Sequence, residues 1–328
     1  MGRRHLQALR LVDNAELIAV ADMRPPALAS VELNGARAYT DANTMLNELR
    51  PDVVIVATNG PSHHPLVLAA IAAGAHGILC EKPISCSVTE AEEMIVAARE
   101  HGCALAVNFW RRHVPAYKWL AERLQSGEWG ELRSIRASWP GIGLGCTGTH
   151  MIDLWRFLGR EQLSTVFGWV DPIRGPNPRG PDFRDPGGMI VATSRSGTRY
   201  IHEQTEDGAG PGTLIIETTT AQIEVAEYTR SVSILVRDLS VKPGPGRSPK
   251  YDPVPLPADA PLLIDIVRLS ADTLRELVDQ SVLTCAAEHG LRSLEVVVAA
   301  HLSHREGHAP VDLPISDADA KATWLPIT

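Results

Sequence analysis

Lys82 and His150 occupy positions where charge and proton transfer could be managed. Lys82, in Cys80-Glu81-Lys82-Pro83, follows the apolar run Gly77-Ile78-Leu79 and so falls at the carboxyl end of an expected buried strand. Open parallel sheets bind ligands at that end. An ammonium group there can hydrogen-bond a hydroxyl and stabilise the charge as it becomes an alkoxide. The plainer reading is a surface lysine at a strand end. His150, in Gly148-Thr149-His150-Met151-Ile152-Asp153-Leu154, opens an expected helix. Imidazole titrates near neutrality and suits general acid–base work; the plainer role is a helix-start or packing residue. Asp153 falls in the first helical turn, where an acid complements the helix dipole, and reads as mainly structural.

Asp22 ends the apolar run Glu16–Ala21 and lies 20 residues after Gly2. In a dinucleotide fold, an acid about that far from the glycine-rich turn accepts from the ribose hydroxyls. Gly2 then fits the third glycine of G-x-G-x-x-G, the one that lets helix and strand pack closely. On this expectation the numbering begins inside the motif, with the first strand and two glycines absent. Either the protein starts upstream, the reading preferred here, or a remodelled fold binds nucleotide poorly. The plainer reading makes Met1 the true start, Gly2 incidental and Asp22 a loop cap. An acid at position 22 favours NAD, because it repels a 2′-phosphate. Arg24 could stack on adenine or tolerate that phosphate, which leaves NADP open.

The elements that must carry these residues follow from periodicity. Glu16–Asp22, Asp52–Thr58, Gly77–Lys82 and Ala104–Val107 are short apolar runs suited to strands covered on both faces. Helical stretches separate them. Pro65–Ala73 stops at Gly74, and Ser87-Val88-Thr89-Glu90 reads as a capping box opening a helix that Gly102 closes. Alternation of this kind predicts a doubly wound parallel sheet. After Asn108 the texture changes to alternating segments (131–139, 164–170, 189–194, 198–204, 213–217, 221–226 and 231–236), an expected antiparallel sheet. Helices are expected at about 262–280 and 291–305. The fold class is therefore an α/β Rossmann-type parallel sheet plus an α+β domain with a large, mostly antiparallel sheet, divided as residues 1–108 and 109–328.

Three ordered segments resemble the Gfo/Idh/MocA oxidoreductases: Val56-Ala57-Thr58-Asn59-Gly60-Pro61-Ser62-His63-His64, Cys80-Glu81-Lys82-Pro83 and Gly148-Thr149-His150-Met151-Ile152-Asp153-Leu154. The closing stretch 291–314 is similar too, so the likeness covers nearly the whole chain. The resemblance implies hydride transfer between NAD(P) and a sugar, polyol or related cyclic alcohol. It implies Lys82 and His150 as catalytic residues, and Gly2, Asp22, Arg24, Thr58, Asn59, His63, Glu81 and Lys82 at the cofactor. It implies Lys82, Arg112, Cys146, His150 and Asp153 at the substrate, and often a cis bond before Pro83. A homodimer or homotetramer is expected. The sequence departs from the family at Cys146, where many members carry an Asp four residues before the His; a thiol is a poor substitute unless ionised. A non-catalytic nucleotide- or sugar-sensing relative, or a truncated copy with impaired cofactor binding, stays open beside the enzyme.

Bulk properties exclude other classes. A net charge of −8 without a basic stripe argues against nucleic acid, and the apolar runs are too short to span a membrane. Five scattered cysteines without CxxC pairs fit a reduced, cytoplasmic protein with no metal centre. Arg111, Arg112 and His113 follow the last parallel strand and read either as substrate contacts or as a surface cluster. His202-Glu203 lacks the rest of a zinc motif. His301, His304 and His308 read as a solvated helix end, and Lys242-Pro243-Gly244-Pro245-Gly246-Arg247 has no helix behind it to cradle phosphate.

Overall fold

A computed structural model describes residues 1–327 except positions 142, 174, 242, 243, 245 and 247. Four of the six residues in the Lys242–Arg247 loop therefore lie outside the described residues. The chain forms two compact units. One comprises Met1–Trp110, Asp265–Leu294 and the last residues from Pro326; the other comprises Arg111–Ile264 and Glu295–Leu325. The first change of unit comes at 110/111, where the sequence reading set its domain boundary at 108/109. The segment 265–294, however, was expected in the second domain and packs with the first unit.

In the first unit, Ala19–Ala21 pairs in parallel with Arg37–Tyr39, a strand too short and polar to read from sequence. Val53–Val56, Gly77–Cys80 and Ala104–Val107 form a second parallel ladder. Every residue of Gly77–Cys80 is buried, as suits a central strand covered on both faces. Val53-Val54-Ile55-Val56 is β-branched throughout, which stiffens the side chains and favours the pleat. The helix Val88–Glu100 begins at its expected cap: Ser87 Oγ accepts from Glu90 N at 3.2 Å. The Glu90 carboxylate reaches back to Cys86 N at 3.0 Å, one residue earlier than a standard capping box.

The unexpected contribution is the helix Ile266–Val278. Its Ala271, Leu274 and Leu277 join Ala8 and Val12 from the chain start and Leu79 and Ala106 from the sheet in one buried cluster. Its apolar stripe is buried against the parallel sheet and the chain start, a partner that its position in the sequence does not announce.

The second unit is a nine-stranded sheet ordered Tyr251–Pro253, Ser231–Arg237, Ala221–Ala226, Thr213–Thr218, Leu132–Pro140, Arg199–Thr205, Gly188–Ser194, Leu163–Val170 and Val311–Asp312. Its pairs are antiparallel except Leu132–Pro140 with Arg199–Thr205. Alternate residues such as Leu214, Ile216, Ile223, Val225, Ile190 and Ala192 are buried. The helix Thr149–Gly159 lies against the parallel pair, with Trp155 tilted on Tyr200 at 5.4 Å between ring centroids. At Gly168 the sheet meets the backbone of Ala300 so closely that a Cβ would fall 2.2 Å from its carbonyl oxygen. Among the described residues, no helix is long and apolar enough to cross a membrane.

Candidate functional site

In the first unit, Asp22, Thr58, Lys82 and Asn108 all lie just past the carboxyl ends of parallel strands, where such sheets receive ligands. The Glu81-Lys82-Pro83 turn is tied down from several directions. Glu81 is buried, and its Oε1 accepts from His5 Nε2 at 2.6 Å and from Asn108 Nδ2 at 2.9 Å. Its Oε2 accepts from Lys82 N at 3.3 Å. Burial alone would raise the Glu81 carboxyl. The hydrogen bond and charge of His5, with Lys82 and Asn108, override burial and pull it down to about 2. The Lys82–Pro83 bond is cis, as the resemblance implied.

His63 fixes the other side of this turn. Its Nδ1 donates to Pro83 O at 2.8 Å, while Nε2 lies 3.2 Å from Thr58 O. Burial pushes His63 down, so the ring is neutral and has one N–H to give. His63 thus joins two strand-end loops and is buried beneath them, whereas Thr58 and Asn59 are exposed.

Asp22 accepts from Arg24 N at 2.9 Å and from Arg24 Nε at 3.2 Å. The hydrogen bond from the Arg24 side chain holds its carboxyl below the usual range. Gly2 begins the Gly2–Leu9 helix, and a Cβ there would meet nothing within 4 Å.

In the second unit, His150 is the second residue of the helix Thr149–Gly159 and is partly exposed. A π-helical turn, Gly143–Gly148, leads into it. Asp185 receives this turn: its Oδ1 accepts from Gly145 N and its Oδ2 from Cys146 N, each at 2.7 Å. Leu144 N donates to the adjacent Pro186 O at 3.0 Å. Gln204 Nε2 donates to Gly141 O at 2.8 Å, and Gln204 Oε1 lies 3.2 Å from Nε2 of His202, which burial brings down to about 4.

Arg112 and Asp153, both expected at the substrate, are bound to each other. Arg112 Nε and Nη2 donate to the Asp153 carboxylate at 2.8 Å, with both side chains buried. A guanidinium matches a carboxylate fork to fork, and this pair anchors the Thr149–Gly159 helix to the residues after the last parallel strand. Arg111 is held likewise by Glu227, which also accepts from Tyr117 Oη at 2.9 Å. Arg111, Arg112 and His113 are all buried, which excludes the surface-cluster reading. Burial takes His113 down to about 3.

Sequence reasoning missed His5, Asn108, Asp185 and Gln204. His5 had a signal, lying three residues past Gly2. Asp185 had none, since it sits in a Pro/Gly-rich loop. His304 Nδ1 accepts from Val170 N at 3.3 Å, and His308 donates to Gly168 O at 2.8 Å while stacking on Trp169. Among the described residues, no three His, Cys, Asp or Glu side chains gather to hold a metal.

Residues 1–109 match a family model described as an oxidoreductase family with an NAD-binding Rossmann fold. Myo-inositol 2-dehydrogenase of Thermotoga maritima is 29% identical over 51% of this chain and 54% of its own length. The chain thus spans about half of that relative. D-apiose dehydrogenase of Paraburkholderia graminis is 27% identical over 98% of this chain and 89% of its own length. Among solved structures, a levoglucosan dehydrogenase in complex with NADH superposes with a TM-score of 0.80 at 21% identity, covering 96% of each chain. An oxidoreductase domain protein from Kribbella flavida gives 0.78 at 23% identity, again over 96% of each chain. These two share the fold. Residues 1–109 thus match the Gfo/Idh/MocA oxidoreductase family model, and the curated relatives named here are dehydrogenases to which the chain is similar.

Proposed function

We propose that the chain is an NAD-dependent dehydrogenase that oxidises a secondary hydroxyl of a sugar, polyol or related cyclic alcohol. The anchored Glu81-Lys82-Pro83 turn carries this reading, because His5, Asn108 and His63 together hold a lysine at a strand's carboxyl end. The residues present fit a dinucleotide. Asp22 offers a carboxylate at a strand end, and the Gly2–Leu9 helix has neither a side-chain cap nor an acid in its first turn. An anion-receiving helix end has this character. A bound nicotinamide supplies the hydride acceptor.

Lys82 stabilises the negative charge on the substrate oxygen, and His150 takes the hydroxyl proton. Thr58, Asn59 and Arg24 line the cofactor, and the Asp22 carboxylate favours NAD over NADP. Asp153 and Arg112 position the His150 helix rather than meet substrate. A homodimer or homotetramer through the sheet face and a cytoplasmic location complete the reading; the latter is supported by five cysteines, none in a disulfide.

The test is a fluorescence titration with NADH and NADPH, followed by a panel of polyols and sugars with Lys82→Ala as control. Saturable NADH binding and turnover that falls at least 100-fold in the variant are expected. Unchanged turnover in Lys82→Ala overturns the assignment. Cys146, standing where the family carries an Asp, favours a second reading as a ligand sensor; NADH binding without turnover across the panel would select it.

A further inference from the structure

We propose that Asp185 is the positioning residue for His150: its carboxylate holds the turn that leads into the His150 helix. The inference rests on the dehydrogenase reading for its catalytic consequence, and on hydrogen bonds alone for the anchor.

The first amides of a helix have no partner within it and need an acceptor from elsewhere. A Ser, Asp or Asn just before the helix normally provides one. Here Gly141 and Gly143-Leu144-Gly145 offer no such side chain. Three successive amides, those of Leu144, Gly145 and Cys146, instead donate to the 185–186 segment. Asp185 takes two of them, one on each oxygen, so neither oxygen is interchangeable with an amide group. Its negative charge also complements the positive end of the helix that follows.

The turn packs tightly against Asp185. Gly143 has φ +46°, and a Cβ there would fall 2.0 Å from Asp185 Cγ. Asp185 is buried. Gln204 holds the start of the same segment at Gly141, and Thr149 Oγ1 ties its end to Gly145 O at 2.8 Å. The turn therefore has fixed points at 141, 145 and 146, and His150 follows four residues after Cys146. A carboxylate thus reaches position 146 from a segment distant in sequence.

Asp185→Asn is the sharp perturbation. An asparagine keeps the size but has one oxygen and one NH2, so one of the two amides would face a donor. Cys146 reports on the result without any label being introduced: it is partly exposed, whereas Cys80, Cys86, Cys103 and Cys285 are buried. Three readouts are made on the full chain, with Asp182→Asn in the exposed part of the same loop as control. In Asp185→Asn, amide exchange at Gly145 and Cys146 should quicken and an aromatic disulfide reagent should label Cys146 about tenfold faster. Polyol kcat should fall about 100-fold, the scale of an ångström's misplacement, while the NADH Kd and polyol KM hold.

Wild-type rates of exchange and labelling in Asp185→Asn overturn the anchor, whatever turnover does. Faster exchange with unchanged kcat overturns the positioning role. A wild-type chain that turns over no polyol overturns the dehydrogenase reading, and exchange and labelling still decide the anchor. If Asp185→Asn does not fold, exchange in the wild type decides. Slow exchange at Gly145 and Cys146 supports the anchor; exchange at the rate of exposed amides overturns it.

Discussion

Replacing His5 by Ala removes the strongest favourable contact of a buried carboxylate, and the consequence can be worked out. Glu81 is pulled from an ordinary 4.5 to about 2 in the folded chain, a preference for the charged form of roughly 3 kcal/mol. A group depressed in this way adds stability above its unfolded value of 4.5, and that stability is lost as pH falls toward 2. Without His5, Asn108 and the Lys82 amide still hold Glu81, but the carboxylate has lost its 2.6 Å partner. Breaking a buried pair costs about 3–5 kcal/mol; the remaining donors put the expectation at the lower end, near 3 kcal/mol. For a chain of this size that is a drop in Tm of about 4 to 10 °C, larger if the parallel-sheet unit melts by itself. The assay is thermal melting by circular dichroism at pH 7 and at steps from pH 5 to pH 3. Wild type should lose stability steeply over that range, and His5→Ala should start lower and fall less. His5→Gln, which keeps an N–H donor, should lie between them. Equal Tm values and equal acid slopes for wild type and His5→Ala would refute the pairing and the reasoning built on it.

Other expectations follow from the same geometry. Asp153→Ala leaves the Arg112 guanidinium buried without its carboxylate and should cost about 3–5 kcal/mol in urea melts with no change in NADH affinity. The double change Arg112→Met with Asp153→Leu should recover most of that loss, since apolar replacements can match a buried pair. Gly168→Ala must push the Ala300 backbone away; a loss of at least about 1–3 kcal/mol is expected in the same melts. Asp22→Asn removes a carboxylate held by Arg24 and should shift the ratio of NADH to NADPH affinity toward NADPH, measured by fluorescence titration.

The parallel strands were legible because each is short, apolar and bounded by turn residues. Gly77–Cys80 is a good example: a run apolar on both faces has few other places to go. Lys82 and His150 could be singled out for their position at element ends. What stayed hidden was the tertiary pairing. Arg112 reads as an available cation in sequence because Asp153 lies far along the chain, and only folding brings the two within 2.8 Å. Asp185 was invisible for a related reason. Its loop has no periodicity, and a side chain capping backbone amides some forty residues upstream leaves no local pattern. The helix Ile266–Val278 was seen as a helix but placed with the wrong neighbours, because an apolar stripe states that a face is buried without naming its partner.

That helix has a consequence for how the chain is made. The apolar face formed by Ala8, Leu79 and Ala106 is closed by Ala271, Leu274 and Leu277. A ribosome that has released the parallel strands must still translate to about residue 278 before their cover exists. At about 5–20 residues per second, that leaves roughly 10 to 35 seconds of exposure on the nascent chain. An expressed fragment ending near Trp110 never receives the cover and should aggregate, whereas co-expressing the 265–294 peptide with it should keep it in solution. In this unit, sequence order and folding order part company: the first strands to be synthesised wait for one of the last helices.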